Sequence, residues 1–195
     1  MDKVFLTFDD GPSKNFPNLL NYLVKNKYKA VFFCCGKELQ NKKIEKHLIK
    51  AIKKGFIIGN HSYSHPNFNL ISFKKAKKEI LETDKIIEEI YKKAKIRRPI
   101  KLFRFPFFRK GLFNYFKLQK FLKHLWYEDI IKSKKYDVRC SLDPKDWDKH
   151  TTKELALKRI KSAKKGDIIG LHDSKYSFDF LLKPVCGFLS SKKLI

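Results

Sequence analysis

Short apolar runs alternate with longer amphipathic segments along the chain. The apolar runs predict β-strands at residues 4–8, 30–34, 56–59, 102–104, 138–141 and 167–171. The segments between and after them predict α-helices at residues 16–26, 38–54, 73–95, 113–125, 151–166 and 180–189. Because strands and helices alternate in this way, the pattern predicts an α/β protein with a parallel sheet, either open or closed into a barrel.

The clearest helical period lies in the segment at 73–95. Its apolar or small residues recur in alternating steps of three and four, from Phe73 through Ala76 and Ile80 to Ala94. The chain shows neither an internal repeat nor a linker-like segment. Its 195 residues are enough for a sizeable core. We therefore expect one domain that spans residues 1–195.

Polar residues cluster where the predicted strands end. The following lie at or just past the carboxyl end of a strand: Asp9, Asp10, His61, Arg104, Asp143 and His172. In α/β barrels the active site is built at the carboxyl ends of the strands. The positions of these residues therefore predict a single site at one end of a barrel.

Two acids and one histidine of this set, together with His65, have the chemistry of a metal hydrolase. Successive strand residues point to opposite faces, so Asp9 and Asp10 need not share one role. His61 and His65 are four residues apart, a spacing that on a helical turn lets both imidazoles reach one metal. One aspartate and two histidines would leave zinc an open position for water, and the second aspartate could take a proton.

Simpler interpretations of the same residues also exist. The Asp-Asp-Gly-Pro stretch at 9–12 is a common turn sequence. Two histidines four residues apart are often ordinary surface or core residues. The spacing alone does not decide between these interpretations, nor does it say which aspartate would bind the metal.

The composition changes this picture little. The net charge of +25 comes from 45 basic and 20 acidic residues, which would suit an anionic partner such as nucleic acid or lipid. The lysines are scattered over every helix-like segment, so we favour a solvated surface and expect no specific nucleic-acid partner. The four cysteines have no C-x-x-C spacing, which indicates buried thiols rather than a zinc finger.

The apolar runs are too short for a membrane span, and no leader precedes the first predicted strand. On that basis we expect a cytoplasmic protein that has no membrane span. We also expect a monomer.

Five short motifs follow one another in the order of a known family. They read T-F-D-D-G-P at 7–12, H-S-x-x-H at 61–65, R-x-P-F at 104–107, D-x-x-D-W at 143–147 and L-H-D at 171–173. Together they resemble the motifs of the polysaccharide deacetylase family, the NodB-like carbohydrate esterases. The resemblance implies a distorted (β/α) barrel of about seven parallel strands and metal-dependent removal of N-acetyl groups from a sugar.

The resemblance also implies roles for individual residues. Asp9 would be the general base, while Asp10, His61 and His65 would bind a divalent metal, with zinc expected and cobalt or nickel as alternatives. His172 would be the general acid. Arg104 would orient Asp9, and Asp143 would orient His172.

Other positions would contact the substrate. The backbone N–H of Phe107 would stabilise the oxyanion, and Trp147 would form a wall of the acyl pocket, with Pro106 and Leu171 beside them. Gly170 stands where the family usually has Leu. The pocket would therefore be roomier, or another side chain would fill it, which leaves the acyl group open.

The expected partner is an N-acetylated glycan such as peptidoglycan or a chitin oligomer. Two other functions compete with deacetylation: glycan binding without catalysis, and removal of a different acyl group. The family often acts on cell-wall or extracellular glycans, so a secreted or cell-envelope location is the alternative to a cytoplasmic one.

Overall fold

Four parallel strands form the regular part of the sheet. The computed structural model describes residues 3–109, 113–128 and 135–195. Within these residues the strands are β1 (Phe5–Asp9), β2 (Ala30–Cys34), β3 (Ile57–Asn60) and β4 (Ile168–His172). They are ordered β3-β2-β1-β4, and the register of β1 with β4 sets Asp9 directly opposite His172.

Helices connect and cover these strands. Over the same described residues they are α1 (Phe16–Lys25), α2 (Gly36–Leu39), α3 (Lys42–Lys53), α4 (Phe73–Ala94), α5 (Tyr115–His124), α6 (Lys153–Arg159) and α7 (Lys183–Ser191). A π-helical turn at Ser177–Leu182 leads directly into α7. In the part of the chain that the structure describes, no helix is long and apolar enough to cross a membrane.

Two irregular segments complete the barrel between β3 and β4. The N–H of Asn60 donates to the carbonyl of Leu102 (2.8 Å), and the N–H of Val138 donates to the carbonyl of Phe103 (2.7 Å). The N–H of Gly170 then donates to the carbonyl of Leu142 (3.0 Å). These bonds continue the ring of backbone pairing from β3 round to β4.

The expected count of seven strands is therefore not confirmed, because the described residues contain four. The predicted strands at 102–104 and 138–141 are present as irregular segments. An isolated bridge joins Phe103 of the first to Asn60, and another joins Leu142, just past the second, to Ile169. Pro106 and Pro144 follow these segments closely. Since proline has no N–H to donate, the strand ladder cannot be extended through either position.

Helix boundaries differ from the predicted ones where a cap or turn intervenes. The segment predicted as one helix at 38–54 is divided between α2 and α3, because the side chain of Asn41 accepts a hydrogen bond from the N–H of Lys43 and starts α3 anew. The helix predicted at 151–166 ends at Arg159. The predicted long helix at 73–95 is confirmed as α4.

The two faces of β1 separate the core from the barrel interior. Leu6 and Phe8 pack into the large apolar core that the helices share, as the two-residue period of a strand requires. Thr7 and Asp9 point the other way. They meet the side chain of Arg104, which is fully buried and stacks on the ring of Phe33 at 4.2 Å.

Cys140 fills the space beside Gly170. A Cβ atom added to Gly170 would lie 2.9 Å from the Cβ and 3.0 Å from the Sγ of Cys140. Because Gly170 stands in place of the family's usual leucine, the pocket is expected to be roomier or to be filled by another side chain. The structure supports the second alternative, with Cys140 as that side chain.

We predict that Gly170→Ala destabilises the fold by about 1–3 kcal/mol, because the added methyl group would overpack against Cys140. The matched control is Gly187→Ala within α7, where an added Cβ would meet no atom within 4 Å. That change should stabilise the fold by about 0.5–1 kcal/mol. The free energy of unfolding in urea measures both, and equal effects of the two changes would contradict the packing argument.

Candidate functional site

A cavity of about 690 Å³ opens at the carboxyl ends of the strands. Its lining consists of Asp9, Asp10, His61, His65, Asn67, Phe105, Phe107, Phe108, Arg109, Asp143, Trp147 and His172. The structure thus brings together most of the residues singled out from the sequence. Arg104, Pro106 and Leu171 lie outside this lining.

Three side chains in the cavity are arranged as candidate metal ligands. Asp10, His61 and His65 each offer one ligand atom, and these three atoms all lie within 4.8 Å of one another. The carboxylate oxygen of Asp10 lies 3.5 Å from Nε2 of His61 and 3.1 Å from Nε2 of His65. Two imidazole nitrogens and one carboxylate oxygen form a donor set that suits zinc and leaves a position for water or substrate.

The other ring nitrogen of His61 makes a hydrogen bond to the backbone. Its Nδ1 donates to the backbone carbonyl of Arg104 at 2.9 Å. A hydrogen bond of this kind fixes the tautomer, so that Nε2 presents its lone pair to the cavity. The residues present therefore fit a divalent metal.

The loop that carries Asp10 is held in place by hydrogen bonds to a buried acid, Asp173. Asp173 accepts hydrogen bonds from the N–H (2.7 Å) and the hydroxyl (2.8 Å) of Ser13, and its own N–H donates to the carbonyl of Asp9. A Cβ on Gly11 would lie 2.6 Å from the Asp173 carboxylate. Glycine is required there, since any side chain would displace this acid.

Asp10 itself has a left-handed backbone, with φ of 67°. For a residue other than glycine this conformation costs on the order of 1–3 kcal/mol. Burial alone would raise the pKa of the Asp10 carboxyl, but the neighbouring side chains of His61 and His65 outweigh burial and hold the pKa below its ordinary value. The carboxylate is therefore ionised and available as a ligand.

The two histidines do not lie on a helical turn, so the predicted reason for their pairing is wrong. Residues 61–65 form an irregular loop in which Ser62 and His65 both have left-handed backbones, with φ of 67° and 56°. The ring centroids of His61 and His65 are nevertheless 5.0 Å apart. The convergence is produced by the loop and the hydrogen bonds that hold it.

Asp9 is held by a buried arginine beneath the cavity. Nη1 of Arg104 donates to the Asp9 carboxylate at 2.7 Å and to the hydroxyl of Thr7 at 2.8 Å, and its Nε donates to the carbonyl of Val138. Asp9 is only 3% exposed. A fixed guanidinium fork of this kind orients one carboxylate oxygen and leaves the other directed elsewhere.

His172 is paired with Asp146, which corrects the role expected for Asp143. Nδ1 of His172 donates to one Asp146 oxygen at 2.8 Å, and the backbone N–H of His172 donates to the other at 2.8 Å. The hydroxyl of Ser177 also donates to this buried carboxylate. Both aspartates belong to the same D-x-x-D-W motif, and the fold turns the second one towards the histidine.

The environment of His172 favours its charged form. Burial lowers the pKa of the imidazole, but the hydrogen bond and negative charge of Asp146 outweigh burial and raise it to about 9. The carboxylates of Asp9 and Asp10 act in the same direction. His172 is therefore protonated at neutral pH and able to donate a proton.

Asp143 lines the cavity instead. Its carboxylate accepts from the N–H of Lys145 at 2.6 Å and from Nε1 of Trp147 at 3.4 Å. These bonds hold the turn that places Trp147 beside the cavity, where the indole is 56% exposed.

Phe107 faces the candidate metal ligands from another side of the cavity. Its ring packs edge-on against His65 with centroids 4.5 Å apart, and its backbone is left-handed with φ of 53°. Pro106 is buried behind it. Leu171 is fully buried in the apolar core on the opposite face of β4, so the predicted substrate contact for Leu171 is wrong.

Sequence reasoning missed three acids that hold this site together: Glu79, Asp146 and Asp173. Asp146 and Asp173 lie within recognised motifs, and their position there was the available signal. Glu79 lies in the long amphipathic helix α4, where a charged residue ordinarily indicates a solvated face. Only the packed structure shows that it is buried.

The geometry brings three candidate metal ligands, the buried carboxylate of Asp9 and the imidazole of His172 to one cavity at the mouth of an α/β barrel. Residues 1–111 match the family described as Polysaccharide deacetylase. The chain is 30% identical over 172 residues to a peptidoglycan-N-acetylglucosamine deacetylase of Bacillus cereus, covering 87% of this chain and 72% of the relative. The chain belongs to the polysaccharide deacetylase family.

A second relative is the peptidoglycan-N-acetylmuramic acid deacetylase PdaC of Bacillus subtilis. It is 32% identical over 174 residues, which cover 87% of this chain and 32% of PdaC. This chain therefore spans about a third of that relative. The solved structure of PdaC superposes with a TM-score of 0.70 at 31% identity, covering 97% of this chain and 85% of the solved one.

A family 4 carbohydrate esterase from Streptomyces lividans, solved with acetate, shares the fold. It has a TM-score of 0.75 at 23% identity and covers 98% of this chain and 89% of the solved one. Both structural likenesses agree with the NodB-like α/β architecture.

We predict that Asp146→Asn lowers the pKa of His172 from about 9 towards the ordinary histidine value of about 6.5, because the neutral amide removes the main charge partner. Asp143→Asn is the matched control and should leave that pKa in place. Titration of the His172 ring by NMR, with chelator present, measures both. A fall with Asp143→Asn and none with Asp146→Asn would contradict the pairing described here.

Proposed function

We propose that this protein is a metal-dependent N-deacetylase of an N-acetylated glycan. The observation that carries the proposal is the placement of Asp9 and His172 opposite each other on adjacent strands, beside the Asp10, His61 and His65 cluster. Hydrolysis of an amide needs a base for the attacking water and an acid for the leaving nitrogen. These two side chains supply one of each.

Peptidoglycan is the favoured glycan. The matched relatives act on its N-acetylglucosamine or its N-acetylmuramic acid, and other relatives are chitooligosaccharide deacetylases. The likeness therefore supports an N-acetylated amino sugar as the substrate class. A free chitin oligomer is the second candidate within that class.

Asp10, His61 and His65 would hold the metal, with zinc expected and cobalt or nickel able to replace it. When bound, such a metal polarises an amide carbonyl and makes water more acidic. The chain's own contribution is the fixed geometry of the three donors. The Arg104 carbonyl sets the tautomer of His61, and the short Asp173–Ser13 contacts hold the Asp10 loop.

Asp9 would take a proton from the attacking water while Arg104 keeps its carboxylate oriented. Protonated His172 would donate its proton to the amide nitrogen. The new C–O bond forms first and places negative charge on the amide oxygen. The C–N bond then breaks as the nitrogen takes the proton from His172, and the products are acetate and a free amine. Asp146 would hold the imidazole in place and stabilise its charge throughout.

The backbone N–H of Phe107 would donate to the amide oxygen as negative charge develops there. Phe107 is 60% exposed and Trp147 is 56% exposed, so both present aromatic surface to the cavity. Such walls suit the apolar faces of a sugar ring, while a few polar groups set its orientation. We propose acetyl as the acyl group.

We predict that the protein releases acetate from N-acetylated chito-oligosaccharides or peptidoglycan, and that a chelator abolishes the release. Asp9→Asn should reduce the rate by roughly 10²–10⁴-fold, because it removes the general base. It should leave the bound metal unchanged, since Asp9 is not among the three ligands.

The control is Asp179→Asn, an exposed acid of the π-helical turn, which should keep the wild-type rate. Glycan binding without product across these substrates and metals would favour the non-catalytic alternative. Release of a larger acyl group in preference to acetate would favour a different deacylase.

A further inference from the structure

Glu79 is a buried acid whose contacts lie between the two histidines. It belongs to α4, and its side chain is 4% exposed. One carboxylate oxygen accepts from the N–H of Tyr63 at 3.0 Å and from the N–H of Ser64 at 2.7 Å. The other accepts from the hydroxyl of Ser64 at 2.8 Å. Three donors of the loop therefore converge on one carboxylate.

The opposite side of the same loop is bonded to α2. The N–H of Gly36 donates to the carbonyl of Ser62 at 2.9 Å, and the N–H of Lys37 donates to the carbonyl of Tyr63 at 3.0 Å. The amides and carbonyls of the loop are thus satisfied from two different helices. Because α4 and α2 both belong to the packed scaffold, the loop has a defined position between them.

The loop needs this support because its backbone is unusual. Ser62 and His65 are left-handed, a conformation that residues other than glycine adopt only when surrounding contacts impose it. Asn60 supplies one such contact by accepting from the N–H of Ser62 at 2.9 Å. Glu79 accepts three further hydrogen bonds from Tyr63 and Ser64, the two residues immediately before His65.

We propose that Glu79 is a positioning residue for the metal centre, which sets the relative placement of His61 and His65 through the loop between them. The inference rests on the metal site proposed above. Acids and carbonyls that hold metal ligands typically change metal affinity roughly 10- to 100-fold when they are altered. Glu79 acts through hydrogen bonds to two backbone N–H groups and one hydroxyl, so the length of its side chain matters more than its charge.

The test compares two conservative variants by the affinity and visible absorption spectrum of bound Co²⁺. Glu79→Gln keeps the length of the side chain, and its amide can accept from both N–H groups while donating to the Ser64 hydroxyl. We expect Co²⁺ affinity within about threefold of wild type. Glu79→Asp keeps the charge but is one methylene shorter, and we expect roughly 10-fold or weaker binding with an altered spectrum.

Ile87→Ala is the control for simple loss of stability. Ile87 belongs to the same helix as Glu79 and is fully buried in the core, so its truncation lowers the unfolding temperature and should leave Co²⁺ affinity unchanged. Wild-type affinity and spectrum in Glu79→Asp would overturn the proposal. Weaker Co²⁺ binding in Glu79→Gln than in Glu79→Asp would also overturn it, because the charge of the side chain rather than its length would then determine the affinity.

The measurement separates this proposal from those on which it stands. If the wild-type protein binds no Co²⁺, the metal site and this inference are refuted together. The same follows if the His65→Ala variant binds Co²⁺ as tightly as the wild-type protein does. Binding that is lost in His65→Ala but unchanged in Glu79→Asp would refute only the role of Glu79. Acetate release is not used, so the result is independent of the proposed reaction.

Discussion

The buried guanidinium of Arg104 links the two halves of the site. Its side chain bonds to Asp9 and Thr7 of β1 and to the carbonyl of Val138, while its own backbone carbonyl accepts from His61. A single residue thus orients the proposed base and a proposed metal ligand. Breaking a buried ion pair typically costs 3–5 kcal/mol, because an uncompensated charge remains. The interior of the barrel is therefore organised around this ion pair.

The loops above this interior depend on carboxylates other than the proposed base and the proposed metal ligand. Asp173 secures the loop after Asp10, Glu79 secures the loop between the histidines, and Asp146 secures His172. Each accepts at least two hydrogen bonds. Left-handed residues such as Asp10 occur where the surrounding structure imposes them. Hydrogen bonds from several elements therefore surround the left-handed positions of the site.

The order of elements and the location of the site could be predicted from the sequence, because apolar period and strand ends are local signals. The segments at 102–104 and 138–141 could not be recognised as irregular, since their pairing depends on partners far along the chain. The choice between Asp143 and Asp146 depends on a turn that spacing does not specify. Glu79 resembled any exposed acid of an amphipathic helix, and only tertiary packing buries it.

The most direct test of this account is the acetate release of Arg104→Lys, measured together with its bound metal. Lysine keeps the positive charge but cannot reproduce the planar fork that contacts Asp9, Thr7 and Val138. The account predicts a loss of at least roughly 10²-fold in rate with metal binding preserved, because the backbone carbonyl that serves His61 remains. Wild-type acetate release by Arg104→Lys would contradict it.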